Sequence, residues 1–333
     1  MHYATMRIFL MLLPLLISCA PREAAAQNFQ LPIDCSVGDT CIVQNYADHN
    51  PAPGAAADPL CGPLAYDGHD GIDIRAPLSM AQRGVAVLAP AAGIVAGVRD
   101  GEPDGAFLRG GAAALSGRDC GNGVRIDHDG GWSSQLCHMR AGSVRVRQGD
   151  RVAAGQPVGL VGLSGHTQFH HVHITLRRNG ETIEPLTGGA LVSARCGAPA
   201  IAGAHWSNEA RSALSYRGAQ LFAVGFSGVA PTDGADAEAL PANAARQSSA
   251  LVFWALATGP RTADVLRVRL YRPDGTLVAH GTRTQVRDQA QAYVFAGQRN
   301  SGSGFAAGVY RGEAQLLRDG RVVATRSEAL TLR

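Results

Sequence analysis

Histidine is unevenly spread along this 333-residue chain. Of eleven, His166, His170, His171 and His173 fall within eight residues, while His69 and His138 stand apart. Two spacings suggest chemistry. In His171-Val172-His173, residues two apart on a strand point to one face, so both imidazoles address the same space while Val172 packs behind. In His69-Asp70-Gly71-Ile72-Asp73, a sharp bend at Gly71 would bring His69 and Asp73 to one ion, with Ile72 and Ile74 anchoring the segment. Two imidazoles and a carboxylate suit zinc, and a catalytic zinc keeps a fourth position open for water. The pKa of that water falls to about 7, and the metal also polarises the carbonyl under attack. His138 and His171 remain beside this set. An imidazole titrates near neutrality and can serve as base, acid or oxyanion donor.

These residues need a rigid carrier. From residue 68 to about 185 the sequence is a series of short apolar runs broken by glycine turns: 85–89, 93–98, 144–146, 151–153, 157–161 and 171–176, the last alternating with period two. Such spacing predicts an all-β core. The Gly-rich stretch 99–119 reads as a surface loop, and 28–62 is loop-rich without periodicity. The pattern fades over 186–245 and returns from Ser249, where Leu266, Val268 and Leu270 alternate with Arg267 and Arg269. Turns at 272–275 and 319–320 complete two hairpins, predicting a small β-sandwich. The expected organisation is a signal peptide (1–26), a loop-rich segment (27–62), an all-β core that carries the histidines (63–198), a linker (199–245) and the sandwich (246–333).

A hydrophobic content of 46% supports a sizeable core and two domains, and 17% charged residues argue against wholesale disorder. There is no Lys, the Arg residues are scattered and the net charge is only +3, so nucleic-acid binding has no support. Arg7 precedes an apolar run, 8–17, too short to span a bilayer and suited to an export signal. Two processing points fit: cleavage after Ala24-Ala25-Ala26, or a lipobox at Leu16-Ile17-Ser18-Cys19 that would leave a lipidated, membrane-attached Cys19. Either way six cysteines remain, an even number that reads as disulfides in an exported chain. Cys120 and Cys137 lie near opposite each other in a hairpin turning at 128–131. Cys35 and Cys41 are close in sequence, which leaves Cys61 with Cys196. No C-x-x-C pair favours a metal role for them. His166 and His170 read as rim or loop residues, with His166 a candidate for the groove. His128 reads as a solvated turn, and His49 with Asp48 as loop.

The pieces His69-x-Gly71-x-Asp73, Asn122-Gly123-Val124, Leu136-Cys137-His138-Met139, Val152-x-x-Gly155-Gln156-Pro157-Val158-Gly159, Gly162-Leu163-Ser164-Gly165-His166-Thr167 and His171-x-His173 follow in order from Asp67 to about Pro185. This set resembles the M23 (lysostaphin/LytM-type) metallopeptidases over roughly a third of the chain. The resemblance implies an antiparallel β-sheet core with a groove. It implies one zinc ion held by His69, Asp73 and His173, with His138 and His171 as the catalytic pair beside the metal's water. It also implies hydrolysis of the peptide cross-links of bacterial peptidoglycan. The chain is then expected to act as a monomer on peptide stems in the periplasm or cell envelope. The alternatives are a non-cleaving wall-binding or hydrolase-activating member, against which the presence of all five residues weighs, and a peptidase acting on proteins. The chain departs from the family at Ile174-Thr175, where Phe-Glu often follows the second histidine, and at His170 and Cys137. In some members an N-terminal segment must move before zinc binds, and the segment around Asn45 is the corresponding candidate cover.

Overall fold

The computed structural model describes residues 27–197, 203, 205–231, 238, 240 and 242–333. The apolar run at 8–17, both processing motifs and Cys19 lie outside them. The fold is mainly antiparallel β, as the strand spacing predicts. Ten strands form the N-terminal unit: β1 (Ile42–Asn45), β2 (Ile72–Arg75), β3 (Ala86–Leu88), β4 (Gly93–Arg99), β5 (Asn122–Asp127), β6 (Trp132–Met139), β7 (Arg151–Val152), β8 (Pro157–Leu160), β9 (His171–Arg178) and β10 (Glu181–Ile183). One sheet runs β1-β2-β9-β6-β5-β4-β7, with β10 paired to β9 and a separate β3-β8 ribbon.

β9 explains the site's position. Val172, Ile174 and Leu176 are fully buried in the core, and burial of each such side chain contributes about 1.5–3 kcal/mol. By alternation His171, His173 and Thr175 take the opposite face. On β2, Ile72 and Ile74 bury likewise, and the antiparallel register sets Asp73 opposite His173. Gly71 lies just before this pairing, and its φ is not positive. A Cβ there would collide with the Ile174 carbonyl oxygen and come within 2.9 Å of His173 Cε1. The chain does bend at Gly71, as expected, and close approach to β9 is what demands glycine there.

Several other expectations are corrected. Residues 144–146 form no strand, although Val146 is buried and Arg145 N–H bonds the Val158 carbonyl. The 99–119 stretch holds a short helix (Ala106–Gly110) and a 3-10 turn (Ala112–Leu115). The 28–62 segment is built into the fold: Phe29 and Ile33 sit in the core and β1 lines the sheet edge. His49 lies in a loop, as expected, but is buried, 3.4 Å from Glu184 in an ion pair too poorly aligned for a hydrogen bond. The three cysteine pairs are those expected, Cys35–Cys41, Cys61–Cys196 and Cys120–Cys137.

Seven strands form the C-terminal unit: β11 (Gln220–Ser227), β12 (Ala250–Thr258), β13 (Val265–Tyr271), β14 (Leu277–Thr284), β15 (Gln291–Arg299), β16 (Gly308–Arg318) and β17 (Arg321–Leu332). Sheets β11-β12-β15 and β14-β13-β16-β17 share a core of Leu251, Phe253, Leu266, Val268, Leu270 and Leu316. β11 begins inside the stretch read as a linker. A helix in that stretch, Asn208–Leu214, buries Ala210 and Leu214 against the N-terminal core.

Two outcomes follow from this packing. Gly71→Ala should lower stability by about 1–3 kcal/mol through overpacking, read as a lower urea midpoint; an unchanged midpoint would refute the close-approach account. The His49–Glu184 pair should make stability depend on pH. Burial opposes charge on His49, but the Glu184 carboxylate outweighs it and raises the pKa above 6.5. Burial also opposes charge on Glu184, but His49 and the Thr187 and Leu186 amides hold it below 4.5. The His49 contribution is complete below pH 6.5 and is lost as pH rises through its folded value. The Glu184 contribution is present above pH 4.5 and is lost as pH falls through its own. The melting temperature should therefore fall more steeply as pH rises above about 6.5 in the wild type than in His49→Gln; parallel slopes would count against the pair.

Candidate active site

Three buried side chains meet where β2 faces β9. His69 Nε2 lies 3.1 Å from Asp73 Oδ1 and 3.1 Å from His173 Nδ1, and the last two atoms are 2.9 Å apart. Among the described residues this is the one cluster of His, Cys, Asp or Glu with ligand atoms converged on a common point. Asn45, at the end of β1, donates its side-chain N–H to Asp73 Oδ2 at 2.9 Å and so turns Oδ1 toward the histidines.

The hydrogen-bond partners decide which nitrogens carry protons. His69 Nδ1 faces the Tyr46 carbonyl at 2.6 Å and must donate to it, leaving the Nε2 lone pair turned inward. His173 Nε2 faces Thr175 Oγ1 at 2.9 Å and Asp70 Oδ1 at 3.2 Å, leaving the Nδ1 lone pair turned inward. Two lone pairs and a carboxylate oxygen thus converge with no proton of their own to separate them. That arrangement is repulsive unless a cation or an added proton lies between, and an N,N,O set is the zinc type. The residues fit the metal. Protonation answers the same need: burial disfavours charge on His173, but hydrogen bonds to Asp70 and Asp73 outweigh it and push its pKa up to about 9. Asp73 is likewise held well below the usual carboxylate range, its burial overcome by His69, His171 and His173.

His138 and His171 flank this cluster, with ring centroids 4.6 Å apart. His138 Nδ1 donates to the Ser164 carbonyl at 2.8 Å, so Nε2 is free to accept a proton. Burial, then the neighbouring His171 and His173, holds its pKa well below the ordinary value and keeps it neutral. Its φ of 62° is left-handed, rare for a residue with a Cβ. The strand is held there by the Cys120–Cys137 bridge and by the His138 N–H bond to the Cys120 carbonyl at 2.9 Å. His171 Nδ1 donates to the Phe169 carbonyl at 3.0 Å, and its Nε2 lies 3.3 Å from Asp73 Oδ1.

The cluster opens into a cavity of about 870 Å³. Its lining includes Tyr66, Phe107 and His166 and, from the C-terminal unit, residues 287–291. Arg75 ties that unit down. It is 2% exposed, donates to Gln44 and Gln291 at 3.0 and 2.8 Å, pairs with Glu238, and stacks on Phe169 and Phe222.

The four residues singled out by spacing and His138, whose role the family resemblance implies, therefore share one site. His166 lines the groove, half exposed beside Asp119. His170 lies outside the converged cluster. His128 is a correction: it is buried, bonded to the Ala92 carbonyl and Ser134 Oγ, and so belongs to the core rather than to a solvated turn. Asn45, Asp70 and Arg287 were not expected as site residues. No periodicity marks them, since each reaches the site from a strand end or a loop; only Thr175, two beyond His173, was readable from alternation.

Residues 67–185 match the model of peptidase family M23. Among solved structures, a chain of the SpoIIQ–SpoIIIAH pore-forming complex is 20% identical with a TM-score of 0.35, covering 50% of this chain and 94% of that one. The catalytic domain of a mutant of the prophage-encoded M23 protein EnpA from Enterococcus faecalis is 26% identical, with a TM-score of 0.30, covering 48% and 94%. The catalytic domain of lysostaphin from Staphylococcus simulans is 19% identical, with a TM-score of 0.28, covering 42% and 85%. With the motif order and the family match in agreement, the chain carries a peptidase family M23 domain over residues 67–185.

Proposed function

We propose that this chain is a zinc endopeptidase that hydrolyses peptide cross-links of bacterial peptidoglycan. The observation that carries the reading is the convergence of His69 Nε2, Asp73 Oδ1 and His173 Nδ1 beside two further histidines in an open groove. His69, Asp73 and His173 would hold one zinc ion. When bound, zinc supplies Lewis acidity, polarising a carbonyl and activating water for attack. His138 Nε2, kept unprotonated by the bond from Nδ1 to Ser164, takes the proton of the attacking water and returns it to the leaving amine. His171 has an acceptor at each nitrogen, so it is placed to hold a proton and donate to the oxygen that gains charge. The groove that would receive the peptide is lined by Tyr66 and by residues 287–291.

Three disulfides suit an oxidising compartment, which supports action in the periplasm or cell envelope after export, as a signal-peptide product or a lipoprotein. The units would divide as a peptidase domain and a sandwich, with peptide stems as substrate and the chain acting as a monomer.

Zymography of the zinc-loaded mature protein on purified peptidoglycan should show clearing that a chelator abolishes. No clearing would favour the non-cleaving, wall-binding alternative. His138→Ala should lower the rate about 10²–10⁴-fold, the scale of a lost general base, with zinc content unchanged. Loss of zinc in that variant would mean that His138 is a ligand.

A further inference from the structure

Each site histidine is oriented by the hydrogen bond on the side away from its neighbours, and the four differ in what makes that bond. His69, His138 and His171 use the main-chain carbonyls of Tyr46, Ser164 and Phe169, with the neutral Thr167 hydroxyl also 3.2 Å from His171 Nδ1. A main-chain acceptor is neutral and survives any substitution of its residue. His173 is held by side chains: its Nε2 faces Thr175 Oγ1 and Asp70 Oδ1. The Thr175 hydroxyl donates to Asp70 Oδ1 at 3.0 Å, and Arg177 Nη2 reaches Asp70 Oδ2 at 3.3 Å. Arg177 is itself held by Gln135 Oε1 at 3.1 Å. His173 is therefore the one site histidine whose outer proton meets a carboxylate.

The chemistry of that difference is specific. A carboxylate accepting from one imidazole nitrogen raises the electron density at the other, which strengthens its bond to a cation and fixes the ring plane. Thr175 and Arg177 follow His173 at two-residue steps on β9, so the strand presents ligand, hydroxyl and guanidinium along one face. The carboxylate they hold comes from the β2 side, next to His69. One residue thus joins the two chain segments that supply the three converging atoms.

We propose that Asp70 is a positioning residue for His173, a carboxylate that sets the ring's tautomer and tightens its grip on the metal, with Thr175 as the hydroxyl bridge and Arg177 as the anchor. This rests on reading His69, Asp73 and His173 as a zinc site. Asp70 makes no contact with substrate or metal in this role.

The test is zinc affinity, measured by competition with a chromophoric chelator on the full mature chain, with metal-free melting curves to confirm folding. Asp70→Asn keeps the shape and removes the charge, and should weaken zinc binding by about 10–100-fold. Thr175→Val removes only the bridge and should weaken it less. Asp70→Glu restores a carboxylate and should bind more tightly than Asp70→Asn. Wild-type affinity in both Asp70→Asn and Thr175→Val would overturn the proposal while leaving the metal site standing. Equal losses in Asp70→Asn and Asp70→Glu would also overturn it, since charge would then not be the cause. Failure of the wild type to bind zinc would overturn the metal reading, and this proposal with it.

Discussion

The site depends first on the pairing of β2 with β9. Asp73 lies opposite His173, Ile74 opposite Val172 and Ile72 opposite Ile174. Because side chains alternate, a slip of one residue would send Asp73 into the core and bring Ile72 or Ile74 to the groove. The isoleucines therefore fix the register by their own burial, and the polar residues between them inherit it. β6 meets the other edge of β9, with Cys137 opposite His173. In this way hydrophobic energy spent on the core assembles a polar cluster that would not hold together by itself.

Preorganisation then comes from the second layer of contacts. His138 occupies a left-handed conformation, a cost of about 1–3 kcal/mol for a residue with a side chain. A disulfide, two main-chain bonds and the Ser164 carbonyl determine that conformation between them. The result is an imidazole with one usable lone pair aimed at the groove. Asn45 does similar work on Asp73 from the sheet edge, so the segment expected as a cover also forms part of the site's wall.

Legibility in the sequence followed the physical source of each feature. His171 and His173 were readable because alternation is a local rule, and the disulfides because near neighbours in a hairpin leave few pairings. Gly71 was recognised for its bend, but the closer reason for glycine, contact with a strand a hundred residues away, was not visible. β11 was missed because strands buried on both faces show no alternation. The burial of His49 and His128 in their loop and turn was missed since their partners, Glu184 and Ser134 with the Ala92 carbonyl, come from other segments. The Arg287–Gln291 wall was invisible for the same reason: nothing local says that one unit's loop will face another unit's histidines.

Arg75 gives the architecture a mechanical reading. It follows Asp73 by two residues on β2, and its buried guanidinium grips Gln291 and Glu238 while lying between two phenyl rings. A buried cation released from such partners is left uncompensated, so the joint resists opening. About 7 Å of extended backbone separates that joint from the site carboxylate. The C-terminal unit is thereby fastened to the strand that bears Asp73, and its own residues 287–291 line the same groove.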